Sequence, residues 1–121
     1  MSAHKIVALA IVMSLGLGTA DAHPALKSAV PAANGVVGPP VKDLRFIFSE
    51  EVVPAFSGAT LTDGRGKIVV TGAPRLDGKN KNLLIVPIKG TLAEGKYKLA
   101  WHAVAADTHR LQGSYAFTVK K

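Results

Sequence analysis

The feature that most constrains the fold is an alternation of apolar and other residues that recurs after residue 23. Leu44 to Phe48, Tyr97 to Ala103 and Tyr115 to Val119 each place a large apolar or aromatic side chain at nearly every second position. A period of two puts those side chains on one face of a β-strand. No segment after residue 23 has a sustained helical period, so the pattern predicts an all-β fold.

Turn-forming residues separate the alternating segments. Asp63-Gly64-Arg65-Gly66, Asp77-Gly78-Lys79-Asn80 and Glu94-Gly95 carry the glycine and aspartate typical of turns. Further strand candidates are the apolar run 82–88 and three weaker segments, 26–30, 59–62 and 67–71. About seven short strands predict a small antiparallel Greek-key β-sandwich or barrel, with PAANGVVGPP (31–40) as a loop.

The aromatic residues are placed to build the core of this sandwich. Only Phe56 lies outside a strand pattern. The other six occupy positions predicted to face inward: Phe46, Phe48, Tyr97, Trp101, Tyr115 and Phe117. Few aromatic rings are therefore left for an exposed platform that stacks on sugars or bases.

The first 22 residues have the three parts of a secretory signal peptide. Lys5 supplies a positive start, Ile6 to Gly18 is an apolar run of thirteen residues, and Ala20-x-Ala22 provides small residues before a cleavage site. An uncleaved anchor is the alternative, but the run is short for a membrane span of about 20 residues. We predict cleavage after Ala22, which gives a signal peptide (1–22) and one domain (23–121).

Cleavage after Ala22 changes the chemistry of His23. The residue then carries a free α-amine beside its imidazole, and amine nitrogen and Nδ1 together close a six-membered chelate on a metal ion. Without cleavage, His23 offers one imidazole only. Pro24 follows and has no backbone N–H, so the next amide cannot compete as a metal ligand.

The composition limits the kind of site and partner. There is no cysteine, and both methionines, Met1 and Met13, precede the predicted cleavage site, which excludes thiolate and thioether ligands from 23–121. The net charge is +7. Because the lysines and arginines are scattered and the chain is predicted to be exported, solubility and weak attraction to acidic surfaces are favoured over nucleic-acid binding.

A second stretch, WHAVAADTHRLQG (101–113), carries further candidate ligands. Asp107 and His109 are two residues apart and, in an extended chain, point to one side. Together with His23 they offer three nitrogens and one oxygen, a set that suits Cu(II), with Ni(II) as the alternative. Glu50 is a candidate to hydrogen-bond a ligating imidazole, or a simple surface charge. His102 is predicted to be an exposed strand residue.

At this point the chain resembles the CopC family, the small periplasmic copper-binding proteins of bacterial copper resistance, including the related PcoC. The resemblance lies in HPALKSAVPAANG, FSEEV and GKYKLAWHAVAADTHRLQGSYAFTV, in this order. It implies a cupredoxin-like or immunoglobulin-like sandwich that binds one Cu(II) ion through His23, Asp107 and His109, with Glu50 near the site. It also implies a non-enzymatic monomer that sequesters copper or delivers it to a CopD-like inner-membrane protein.

One segment departs from the family pattern. Some members hold Cu(I) in a methionine-rich segment, whereas GATLTDGRGKIVVTGAPRLDG (58–78) contains no methionine. The resemblance therefore implies a protein specific for Cu(II). Three alternatives remain: a small monooxygenase-like enzyme with a copper histidine brace, a zinc-binding β-sandwich module, and a plain sandwich whose histidines bind nothing.

Overall fold

The computed structural model describes residues 23–121, so the predicted signal peptide and its cleavage site lie outside the described residues. No helix within this range is long and apolar enough to cross a membrane. One 3-10 turn covers Pro54–Phe56. The strands are β1 (Leu26–Val30), β2 (Val36–Val37), β3 (Asp43–Phe48), β4 (Gly58–Thr62), β5 (Ile68–Val69), β6 (Arg75–Leu76), β7 (Leu83–Pro87), β8 (Gly95–Val104) and β9 (Arg110–Val119).

The strands form two sheets, which confirms the predicted all-β Greek-key sandwich. One sheet has the order β1-β3-β7-β6 and the other β2-β9-β8-β4-β5. All strand pairs are antiparallel except β2 with β9, which run parallel. The longest pairing joins β8 and β9 over ten residue pairs, from Gly95 opposite Val119 to Val104 opposite Arg110.

The alternating residues build the core between the sheets. Leu44, Phe46 and Phe48 of β3 are buried, while Arg45 and Ile47 between them are exposed. Burial of each such side chain contributes about 1.5–3 kcal/mol. Four of the six aromatic residues predicted to face inward are buried: Phe46, Phe48, Tyr97 and Phe117. The other two, Trp101 and Tyr115, are partly buried and pack against this core.

The structure corrects the prediction in two short segments. The predicted loop 31–40 contains β2, which lies beside β9 and is anchored where the backbone N–H of Lys120 donates to the Val37 carbonyl (2.9 Å). The short strand β6 was also missed, so nine strands replace about seven. Pairings of two residues are too short to show a period, and a parallel contact between distant segments leaves no local sequence pattern.

The two ends of the sandwich bring together different parts of the chain. At one end, called the His23 end below, lie the start of β1, the segment 49–53 after β3, and the loop 105–109 between β8 and β9. At the opposite end lie the turn 63–67, the connection 88–94 before β8, and the chain after β9. Every residue predicted to bind metal is on a segment of the His23 end.

Candidate metal centre

The segment after His23 is held against the segment that follows β3. The backbone N–H of Ala25 donates to Oγ of Ser49 (2.8 Å), and the backbone N–H of Ser49 donates to the carbonyl of Ala25 (2.8 Å). Pro24 is buried, and Leu26 then pairs with Phe48 across the β1–β3 ladder. The position of His23 is therefore fixed by a contact with residues that are distant in sequence.

The loop 105–109 is anchored at its base by the segment 51–53. The backbone N–H of Val53 donates to the Val104 carbonyl (2.8 Å), and that of Ala106 donates to the Glu51 carbonyl (2.9 Å). Between them, Val52 and Ala105 form an antiparallel bridge. The hydroxyl of the buried Ser57 accepts a further bond from the Val104 N–H (3.1 Å). The loop that carries two candidate ligands is thus attached to the sandwich through its first residues.

Within this loop, Asp107 and His109 bind each other. Oδ1 of Asp107 accepts from the backbone N–H of His109 (3.0 Å), and Oδ2 lies 2.7 Å from Nδ1 of its imidazole. The backbone hydrogen bond, followed by the imidazole contact, lowers the pKa of the Asp107 carboxyl below its ordinary value. A carboxylate on Nδ1 favours the tautomer with the proton there and leaves Nε2 as the nitrogen available to a metal.

His23 lies beside this pair. The rings of His23 and His109 have centroids 5.6 Å apart and meet edge to face at 87°. The His109 side chain is 51% exposed. Within residues 23–121, however, no three histidine, aspartate or glutamate side chains are grouped closely enough to hold a metal ion as they stand. The structure therefore brings two imidazoles together at the surface, and the Asp107 carboxylate is hydrogen-bonded to one of them.

The backbone between Asp107 and His109 is not extended, contrary to what the sequence had led us to expect. An extended backbone was expected to turn both side chains to one side, but Thr108 has a φ of +78°, in the left-handed region. The loop is closed instead by Thr108 N–H to the Ala105 carbonyl (2.8 Å) and Ala105 N–H to the His109 carbonyl (2.9 Å). A tight turn, with an aspartate that accepts from the residue two positions on, brings the groups together.

The other two candidates are placed differently. Glu50 is partly buried at the His23 end, and within 23–121 its carboxylate makes no hydrogen bond. A bond from Glu50 to a metal-ligating imidazole stays a prediction, beside the alternative of a simple surface charge. His102 is exposed on β8, as predicted, and its ring lies close to Gly58 of the neighbouring strand β4.

Sequence reasoning missed Ser49. This residue lies in the Phe-Ser-Glu segment, in which only the glutamate was considered as part of a site. Its hydroxyl and backbone bind Ala25, which lies two residues after His23. Ala25 and Ser49 are 24 positions apart in the sequence. A serine directly after a buried strand gives a weak indication of such a role, since a short hydroxyl side chain often bonds to nearby backbone.

Comparisons with known proteins agree with the sequence and the fold. The family model described as "CopC domain" matches residues 26–120. The chain is 36% identical to copper resistance protein C from Xanthomonas campestris pv. juglandis, over 99% of this chain and 100% of that protein.

Two solved structures are similar along nearly their whole length. CopC from Methylosinus trichosporium OB3b has a TM-score of 0.73 and 30% identity, with 81% of this chain and 94% of that one covered. PcoC, a methionine-rich copper resistance protein from Escherichia coli, has a TM-score of 0.72 and 35% identity, with 82% and 100% covered. This chain belongs to the CopC family.

Proposed function

We propose that the protein is a periplasmic Cu(II)-binding protein that begins at His23 after cleavage behind Ala22. The observation that carries the proposal is that the His23 and His109 rings lie edge to face, with their centroids 5.6 Å apart. The Asp107 carboxylate is hydrogen-bonded to Nδ1 of His109 beside them. The ligands would be the His23 amine and imidazole and Nε2 of His109. The site would bind one ion per chain, and the protein would act as a monomer without catalysis.

The donor set fits Cu(II) better than other common metals. Three nitrogens with an oxygen nearby suit tetragonal copper, and N/O sites follow an affinity order in which Cu(II) exceeds Zn(II) and Ni(II). One carboxylate oxygen of Asp107 is hydrogen-bonded to the His109 imidazole, and the other accepts from the backbone N–H of His109. In this arrangement Asp107 orients the His109 ring and favours the tautomer with the proton on Nδ1. Direct ligation would require Oδ2 to leave Nδ1.

The relatives support a role in copper handling. Those named above are called copper resistance proteins, and one of them, PcoC, is described as methionine rich. The present chain has no methionine after Met13. Since Cu(I) prefers soft sulfur ligands, we assign Cu(II) alone to this protein. Holding the ion in the periplasm, or passing it to a CopD-like membrane protein, would each account for copper resistance.

The test is a Cu(II) titration followed by EPR on two matched proteins. One begins at His23, and the other has a single pyroglutamate before His23, which keeps every side chain, turns the amine into an amide and adds no new amine. We expect one tight equivalent with several coupled nitrogens in the first protein. The second should lose at least one nitrogen coupling and bind more than tenfold more weakly. Equal affinity and equal spectra would exclude the amine as a ligand.

The Cu(II) affinity measured over a range of pH is a second test of the same ligands. Amine and imidazole nitrogens bind copper only when they are deprotonated, so binding releases protons. We expect the affinity to fall steeply below about pH 6, because protons then compete with the metal ion for these nitrogens. An affinity that stays constant from neutral to acidic pH would contradict the proposed nitrogen ligands.

A further inference from the structure

The positive charge of the protein is concentrated at the end opposite His23. Eight exposed basic residues lie on the segments of that end, just before β3 or at the start of β8: Lys42, Arg65, Lys67, Lys89, Lys96, Lys98, Lys120 and Lys121. Only three acidic residues accompany them: Asp43, Asp63 and Glu94. We call this region the basic end. The His23 end also includes the turn before β7, where the Asn82 carbonyl accepts from the Phe48 N–H. The charged side chains of this end balance, because Lys27, Lys79, Lys81 and Arg110 are matched by Glu50, Glu51, Asp77 and Asp107.

Backbone contacts join the segments of the basic end. Thr62 pairs with Lys98 across β4 and β8, so the turn 63–67 lies next to the start of β8. The N–H of Ile88 donates to the Lys42 carbonyl (2.9 Å), which places Lys42 near Lys89. Lys96 pairs with Thr118 near the end of β9, just before the terminal lysines. The charges therefore surround one end of the molecule rather than being scattered over it.

Two of the three acidic residues of the basic end are already engaged. Asp43 forms an ion pair with Arg45, with Nε and Oδ1 3.0 Å apart. Asp63 accepts hydrogen bonds from the backbone N–H groups of Arg65 and Lys67 (2.9 and 3.0 Å), which closes its own turn. Asp43 is thus matched by Arg45, which is not one of the eight basic residues, whereas Asp63 keeps its charge beside Arg65 and Lys67. Eight basic side chains against three acidic ones still leave this end strongly positive.

Exposed aliphatic side chains accompany these charges. Ile68, in the edge strand β5 of the five-stranded sheet, is 65% exposed, and Val70, just after that strand, is 63% exposed. Ile68 pairs with Thr62 beside the turn 63–67, and the Val70 carbonyl accepts from the N–H of Lys89 (3.0 Å). Exposed aliphatic groups among lysines and arginines are the combination that binds the interface of an anionic bilayer.

We propose that the basic end binds anionic phospholipid bilayers and leaves the His23 end facing the solvent. The basic residues come from turns, from the start of β8 and from the chain after β9. Arg65, Lys96 and Lys98 line one shallow cavity, but the other five lie outside it, so the charges are not confined to a groove. A planar anionic surface can contact several of these segments at once, whereas a folded acidic protein would contact one patch. Membrane attachment goes beyond the proposed copper binding and does not require it, because the two ends of the sandwich are separate.

The first test is co-sedimentation of the metal-free protein with vesicles, so a failure of copper binding cannot affect the result. Phosphatidylglycerol vesicles provide the anionic surface, and phosphatidylcholine vesicles are the control. We expect binding to phosphatidylglycerol at low salt, strong weakening at 0.5 M NaCl because salt screens the charges, and no binding to phosphatidylcholine. Absence of binding to phosphatidylglycerol at low salt would overturn the proposal and favour an acidic protein as the partner.

Two double variants test whether the basic end itself is responsible. Lys96→Glu with Lys98→Glu alters that end, and Lys79→Glu with Lys81→Glu makes the same change in net charge at exposed positions of the His23 end. We expect the first pair to lower vesicle partitioning by about tenfold or more and the second pair to lower it far less. Equal losses would show that net charge alone matters and would overturn the proposal.

A milder pair keeps the comparison valid if the charge reversals disturb the fold. Lys96→Gln with Lys98→Gln removes the charges without adding acidic groups, and Lys79→Gln with Lys81→Gln is its control. Thermal unfolding by circular dichroism establishes that each variant is folded. We again expect the Lys96/Lys98 variant to lose more vesicle partitioning than the Lys79/Lys81 variant, with a smaller difference between them. Unchanged partitioning of the Lys96/Lys98 variant would contradict the proposal.

Discussion

The two segments that meet at the candidate metal centre are positioned in different ways. The loop 105–109 is organised largely from within, by the Asp107–His109 bonds and by the Ala105 contacts with Thr108 and His109. The segment after His23 has no such internal structure and depends on Ser49, which lies 24 residues away from its partner Ala25. The arrangement of Asp107 against His109 is therefore set locally, whereas the position of His23 is set by the fold.

This difference predicts that the two halves respond differently to mutation. Changes in the loop should alter the ligand itself or its immediate partner and lower copper affinity strongly, with little effect on the fold. Changes at the support of His23 should act through the order of the N-terminal segment and have smaller effects. The predictions below run from the largest expected effect to the smallest.

The largest effect is expected from His109→Ala. This substitution removes a proposed nitrogen ligand, so affinity for Cu(II) should fall by more than the 10–100-fold that loss of an outer partner costs. The side chain is 51% exposed, and stability should change by less than about 0.5 kcal/mol. His102→Ala is the control, since it removes an exposed histidine of β8. Competition titrations in which both variants bind like the parent would exclude His109 as a ligand.

Asp107→Asn should have the next largest effect. The amide keeps the shape of the carboxylate but loses its charge, so affinity should fall by about 10–100-fold. Asp63→Asn is the control, because Asp63 also accepts backbone N–H bonds in a turn but touches no histidine. EPR separates the two roles of Asp107: unchanged parameters of the bound copper indicate an orienting role, whereas altered parameters indicate direct ligation.

Because the pKa of Asp107 is lowered, the stabilisation from its hydrogen bonds with His109 depends on pH. Hydrogen bonds from His109 favour the charged carboxylate, so the pKa in the folded protein lies below the ordinary value of about 3.9. The stabilisation they provide is complete above that ordinary value and is lost as the pH falls through the lowered one. An NMR titration of the Asp107 carboxyl carbon should therefore show a midpoint below that of an aspartate in an unfolded peptide.

Ser49→Ala tests the half of the site that the fold positions. It removes the acceptor of the Ala25 N–H and should lower stability by about 0.5–1.5 kcal/mol. Because the segment carrying His23 loses one of two bonds, we expect copper to bind severalfold more weakly. Ser49→Thr keeps the hydroxyl and should restore affinity, and Ser114→Ala, at an exposed position of β9, should change neither property. Unaltered copper affinity in Ser49→Ala would show that this contact does not position His23.

The same distinction explains which features could be predicted from the sequence. Strands β3, β8 and the second half of β9 carry a period of two because one face of each packs against the core. That Asp107 and His109 lie on one side was predicted because the two residues are close in sequence, although the expected extended backbone was wrong, since Thr108 has a positive φ. Their hydrogen bonds to each other were not predicted. Strand β2 and the role of Ser49 depend on partners distant in the chain, and such contacts leave no local pattern that identifies the partner.

The smallest effect is expected from Thr108→Gly, which tests whether the loop holds its own conformation. A β-branched residue with a φ of +78° is strained, and glycine adopts this conformation without steric cost. The relief of strain is offset by the greater freedom of glycine in the unfolded chain, so we expect a gain in stability of at most about 1 kcal/mol. Copper affinity should stay within a factor of two, because the Asp107–His109 bonds hold the loop. Thermal unfolding and a copper titration measure the two quantities. A large loss of affinity with unchanged stability would show that the threonine, and not only the two side chains beside it, sets the geometry of the site.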